Sequence, residues 1–212
     1  MNLEPFDAED GYRVWLDQSE VAQLLSRCQS QKEELAITLG VRSGLRASEI
    51  VAVEAQHVVD TSAGPRVRVH DSKGKRYRET PTTESVRSTA ATYAELQGPD
   101  ARLVPHSKRW VQRHLDALCA GLAADGDEMW HHVTPHDLRR TWATSLAGSE
   151  VDPLLVCDWG GWSDLETFLQ HYRGTYSPDV QRRELEKVAW LSDGGAMREA
   201  ADADPDGWVV ET

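Results

Sequence analysis

Cysteine, phenylalanine and lysine are all scarce in this chain of 212 residues, which has three Cys, two Phe and only five Lys beside eighteen Arg. Cys28, Cys119 and Cys157 are widely spaced and form no C-x-x-C pair. That excludes a disulfide framework and a cysteine-built zinc site, and the three read as small buried residues. No run of 18 or more apolar residues is present, nor a basic-then-apolar leader, so neither a membrane span nor a secretory signal is expected. The expectation is a soluble, cytoplasmic protein with a full hydrophobic core in one domain, or at most two small ones.

Positive charge is also in deficit. The net charge is -12, which on its face opposes binding to nucleic acid, since duplex affinity comes largely from Lys and Arg neutralising phosphates. Its distribution reverses that reading. Residues 1–20 hold six acids against Arg13, and residues 193–212 hold six against Arg198. Between these ends, residues 64–78 carry Arg66, Arg68, Lys73, Lys75, Arg76 and Arg78 against Asp71 alone, and Arg102, Lys108, Arg109 and Arg113 form a second basic group. Each group is either a phosphate-contacting surface or a solvated face. The acid-rich, lysine-poor composition fits a protein made in a very salty cytoplasm, such as that of a halophilic archaeon or of a cell infected by its virus.

What is present is punctuation and period. Asp17 with Glu20, and Ser30 with Glu33, are helix-start signals, and each is followed by apolar residues at helical spacing. The second helix runs to Ser43-Gly44, where glycine lets the chain turn, and Arg46 opens a short third helix. From Val58 to Pro81 the period changes to two, with Val67 and Val69 alternating with Arg66, Arg68 and His70 around a Lys73-Gly74-Lys75 turn. Helical patterns resume over Thr83 to Leu96 and Ser107 to Leu122, then from Pro135 to Leu146, Pro153 to Trp159, Leu165 to Tyr172 and Pro178 to Leu191. The last twenty residues read as a loose acidic tail. The fold class expected is mainly α with a small antiparallel β-sheet.

Three short motifs carry chemistry: Gly44-Leu45-Arg46-Ala47-Ser48-Glu49, His136-Asp137-Leu138-Arg139, and Gly161-Trp162 followed by Tyr172. In order and spacing they resemble the tyrosine recombinase, or phage integrase, family, and the resemblance covers Asp17 to Leu191. Either arginine box alone is a weak signal, but both of them, with a basic hairpin between and a Gly-Trp and a tyrosine after, are specific. The resemblance implies a recombinase catalytic domain over residues 1–192 and an acidic tail over 193–212, without the N-terminal arm domain that members acting alone usually carry.

The implied chemistry is cleavage of a DNA phosphodiester through a covalent 3'-phosphotyrosine. Charge develops on the nonbridging oxygens of the phosphate under attack, and planar guanidinium forks match that geometry, so Arg46 and Arg139 are the expected clamp. Glu49, one turn beyond Arg46, either orients that arginine or its histidine neighbour, or is a surface i,i+3 partner. Lys73 resembles the family's mobile lysine, with the implied role of general acid toward the departing 5' oxygen, the alternative being that Lys73, Lys75 and Arg76 are simply phosphate-contacting charges. His136 resembles the family histidine on the scissile phosphate, Trp162 stands at the family's His/Trp position, and Tyr172 is the expected nucleophile. Arg66, Arg68, Lys75, Arg76, Arg78, Lys108 and Arg109 are expected to bind DNA. His131, His132 and His136 do not make a metal site, because Thr134-Pro135 interrupts any single helix and no acid or Cys completes the set. No cofactor is expected. The implied partners are double-stranded DNA and further copies of the chain in a four-protomer synapse.

The sequence departs from the family at one point. The tyrosine usually lies nine residues after the His/Trp position, whereas Tyr172 is ten after Trp162 and Tyr176 is fourteen after it. One residue on a helix is a rotation of about 100°. The alternatives are therefore a recombinase remnant that binds DNA without cutting it, and a topoisomerase-like relaxing enzyme.

Overall fold

The computed structural model describes residues 2–6, 11–70, 77–149, 151–166, 168, 182, 183 and 185–188. The chain divides into two compact units, Met1–Arg173 and Gly174–Thr212. In the second, the Val188 amide donates to the Leu185 carbonyl at 3.1 Å, closing a helical turn.

Among the described residues there are seven α-helices and two antiparallel sheets, so the class is mainly α with a small β component. The order is β1 (Asn2–Phe6), β2 (Gly11–Trp15), α1 (Gln18–Ser26), α2 (Gln31–Ser43), α3 (Ala47–Ile50), β3 (Val58–Thr61), β4 (Gly64–His70), β5 (Tyr77–Pro81), α4 (Glu84–Gln97), α5 (Lys108–Ala124), α6 (Pro135–Gly148) and α7 (Pro153–Gly160). The helix starts follow from the capping residues. Asp17 and Glu20 form a reciprocal box at α1, and Ser30, Thr83 and Ser107 each accept a backbone N–H three residues on. These bonds satisfy donors that the first turn cannot use itself.

Helix α2 is the central rod. Leu35, Ala36 and Leu39 face one apolar cluster shared with β4, α4 and the start of α5, while Ile37 and Val41 face a second shared with β2, α1, α5 and α6. A helix buried on two faces is held by packing rather than by propensity. Helix α6 crosses it closely: a Cβ on Gly40 would lie 2.9 Å from the Cβ of Leu138. A third cluster joins Trp142 and Ala143 of α6 to Val156 and Cys157 of α7 and to Phe168.

The three-stranded sheet has the order β3-β4-β5, all antiparallel, with Val67 opposite Thr80 and Val69 opposite Arg78. Its inner face is therefore Val67, Val69 and Thr80, all buried, and Arg78 shares that face. Asn2–Phe6 and Gly11–Trp15, where the sequence gives no strand signal, pair as the antiparallel strands β1 and β2. The second strand is fastened to α6 by side chains. Asp137 accepts from the Val14 amide at 3.1 Å and Thr141 from the Leu16 amide at 3.0 Å. The other oxygen of Asp137 accepts from the amide and hydroxyl of Thr134, at 3.0 and 2.6 Å, closing the N-terminus of the helix that carries His136 and Arg139.

Candidate active site

Arg139 lies on the second turn of α6 and is only 1% exposed. Its guanidinium donates to the carbonyl of Gly44 at 2.5 Å and to that of Gly160 at 2.6 Å, and its Cζ sits 4.2 Å from the centre of the Trp162 ring. A planar fork is suited to this, since two donors reach two carbonyls while the flat face stacks on the indole. Arg139 thereby ties the end of α2, just before Arg46, to the end of α7, just before Trp162.

Glycine is needed at both of those ends. Gly44 has φ +65°, and a Cβ there would stand 2.3 Å from the Trp142 ring. A Cβ on Gly160 would stand 1.7 Å from the Trp162 ring, which folds back over the helix end to lie parallel to Trp142, with ring centres 6.2 Å apart. The Phe168 ring packs steeply against the same indole, with ring centres 5.2 Å apart and planes at 65°. Trp162 is thus part of the packed cluster and also the wall beneath Arg139.

Arg46 is the N-cap residue of α3, and its side chain is 45% exposed. Glu49 accepts from the Arg46 amide at 2.7 Å and from the Arg46 guanidinium at 3.0 Å. The Glu49 side chain is only 12% exposed and that of Arg46 45%, so this i,i+3 bridge is half-buried. The second partner of Glu49 is Arg78, whose two terminal nitrogens each reach one Glu49 oxygen at 2.9 Å. Burial pushes the Glu49 carboxyl up, but the hydrogen bonds and charge of Arg78, with the Arg46 amide and guanidinium, outweigh it and hold the group at about 2. The Nε of Arg78 donates to the carbonyl of Trp159 at 2.9 Å.

The motifs are thereby joined into one network through main-chain carbonyls and one carboxylate. His136 is an exposed residue in the first turn of α6, three before Arg139 and hence on the same face. Among the described residues expected to contact phosphate on DNA, Arg78 departs most from that expectation: its side chain is only 10% exposed and its fork is occupied by Glu49. Arg66 lies over the Trp159 ring at 5.0 Å. Arg68 is 45% exposed and pairs with Glu79 at 3.2 Å, while Lys108 and Arg109 are exposed at the start of α5. Lys73, Lys75 and Arg76, and the tyrosine candidates Tyr172 and Tyr176, lie outside the described residues.

The same arrangement of helices and sheet occurs in tyrosine recombinase catalytic domains. The XerA recombinase matches with a TM-score of 0.64 at 20% identity, over 82% of this chain and 64% of that one. The Tn1549 transposon integrase, solved in complex with transposon right end DNA, matches with a TM-score of 0.61 at 21% identity, over 87% and 69%. The catalytic domain of the bacteriophage HP1 integrase matches with a TM-score of 0.56 at 17% identity, over 82% and 94%. This chain thus spans under two thirds of the XerA recombinase chain. No curated protein matches it. Residues 14–177 match the phage integrase family, and the chain belongs to that family.

Proposed function

We propose that this chain is a DNA strand-transferase, a site-specific recombinase or integrase that cuts and rejoins DNA through a 3'-phosphotyrosyl intermediate. The observation that carries the reading is the joining of both arginine boxes and the Gly-Trp turn through Arg139, whose donors bridge Gly44 and Gly160, within a domain of the phage integrase family. The Tn1549 integrase, of similar fold, was solved on DNA, which supports double-stranded DNA as partner.

In this reading Arg46 and Arg139 stabilise the charge that builds on the nonbridging oxygens. The Tyr172 hydroxyl passes its proton to His136 and attacks phosphorus while the bond to the 5' oxygen breaks. Lys73 supplies the proton that the 5' oxygen takes, and His136 and the Trp162 indole N–H hold the phosphate. The phosphotyrosyl bond keeps the energy of the phosphodiester, so a 5' hydroxyl from another strand can reverse the step without ATP. Arg66, Arg68, Lys75, Arg76, Lys108 and Arg109 contact the duplex backbone. The exchange takes place in a four-protomer synapse in the cytoplasm, and the acid-rich composition suits a salt-rich one. Residues 1–192 are the catalytic unit and 193–212 its tail.

The test is to incubate the chain with a pool of nicked suicide duplexes of randomised sequence and look for an adduct that survives detergent. A covalent adduct with an enriched sequence is expected. Duplex binding with no adduct would favour the non-cutting DNA-binding module, and plasmid relaxation with no sequence enrichment would favour a topoisomerase.

A further inference from the structure

Among the described members of the basic run over residues 64–78, Arg78 is the one that the sheet turns inward. Cross-strand partners share a face, and Arg78 stands opposite the buried Val69, two residues before the buried Thr80. Three donors of one guanidinium are spent there, two on Glu49 and one on the Trp159 carbonyl. The space for that side chain is cut to shape, because a Cβ on Gly161 would meet the Arg78 Cδ at 2.9 Å.

The charge balance shows what the contact does. Glu49 already accepts two hydrogen bonds from Arg46. Without a second cation the two would form a neutral pair, and a buried carboxylate would compete with any phosphate for the Arg46 fork. With Arg78 the three groups sum to one positive charge. Both Glu49 oxygens are then saturated by four donors, close to all that a carboxylate can accept. Arg46 is aimed by Glu49 but not neutralised by it.

We propose that Arg78 is a positioning residue for strand cleavage: by holding Glu49 and the end of α7 together, it fixes Arg46 and keeps its charge available to the scissile phosphate. The inference rests on the strand-transfer reading above. It concerns Glu49 and Arg46, not a direct contact between Arg78 and DNA.

Arg78→Met, Arg78→Lys, Glu49→Gln and the double variant Arg78→Met/Glu49→Gln separate this role from plain packing. Two readouts are taken on the randomised nicked duplexes: single-turnover adduct formation, and the salt dependence of binding. Arg78→Met should slow the adduct by about a hundredfold, the scale of a misplaced reacting group. It should also reduce the salt slope by about one unit, the loss of one phosphate contact, although Arg78 itself makes none. Adding Glu49→Gln should restore the slope and return about tenfold in rate, since an uncharged partner no longer captures Arg46. Arg78→Lys, which keeps the charge and loses the fork, should keep the slope and lose about tenfold in rate. If Arg78→Met does not fold, the lysine variant decides, and a wild-type rate for it overturns the proposal.

A wild-type rate for Arg78→Met, or a double variant as slow as Arg78→Met, also overturns it. If the unaltered chain forms no adduct, the strand-transfer reading fails and the slopes decide this inference alone. A loss in Arg78→Met that is restored in the double variant retains it, and equal slopes end it.

Discussion

The two arginines expected to hold one phosphate live in opposite surroundings. Arg139 is 1% exposed, bonded to two main-chain carbonyls and backed by an indole, whereas Arg46 is 45% exposed and held through a carboxylate that a third arginine secures. One is built into the core as a fixed wall, and the other is a side chain at a helix start with its direction set by neighbours. The difference teaches that a matched pair of functional groups can carry unequal structural burdens. Substitution should therefore separate folding from chemistry at one position and confound them at the other.

The largest effect should follow from Arg139→Ala. It strands two buried carbonyls and leaves a void over Trp162, so the loss of stability should be about 3 kcal/mol or more, read from denaturant unfolding. Arg46→Ala should cost less than about 1 kcal/mol, because its pair is half exposed. Both should abolish most strand cleavage. Equal destabilisation by the two would break the comparison. Gly160→Ala sharpens it from the other side: it forces the Trp162 ring off its seat and should cost about 2 kcal/mol or more, with Arg139 displaced although no charge is altered.

Next in size is acid sensitivity on the Arg46 side. The Glu49 carboxyl is held at about 2 against an ordinary value of 4.5. A depressed carboxyl contributes stability that is full above the unfolded value and is lost as pH falls through the folded one. The contribution is on the order of 3 kcal/mol, present above pH 4.5 and fading toward pH 2. Relative to the native chain, Glu49→Gln should thus flatten the stability profile between pH 5 and pH 2.5. Parallel profiles would mean that the carboxylate is not held as the geometry implies.

Much of this fold can be read in the sequence, and the exceptions have physical causes. Asp17, Ser30, Thr83, Ser107 and Gly44 mark helix ends because each satisfies, or permits, a specific main-chain geometry. The alternation around Val67 and Val69 marks the sheet for the same kind of reason. The β1–β2 hairpin is not legible, since its second strand is fixed by side chains more than a hundred residues away, Asp137 and Thr141. Arg46, Glu49, Arg139 and Trp162 are legible as a set from their motifs. The inward turn of Arg78 is hidden by the basic run around it, because Val69 and Arg78 are an odd number of residues apart and only the strand register puts them on one face.

The smallest effects belong to the exposed cations. Neutralising Arg68, Lys108 or Arg109 singly should leave stability within about 0.5 kcal/mol and lower the salt slope of duplex binding by roughly one unit each. An unchanged slope would make that residue part of a solvated face.

The most direct test of the central claim is mass spectrometry of the peptide left covalently on DNA after proteolysis of a trapped complex. The account predicts a phosphonucleotide on Tyr172, and its disappearance in Tyr172→Phe with duplex binding intact. Attachment at Tyr176 would move the nucleophile by four residues, and DNA bound by the native chain with no residue attached would contradict strand transfer altogether.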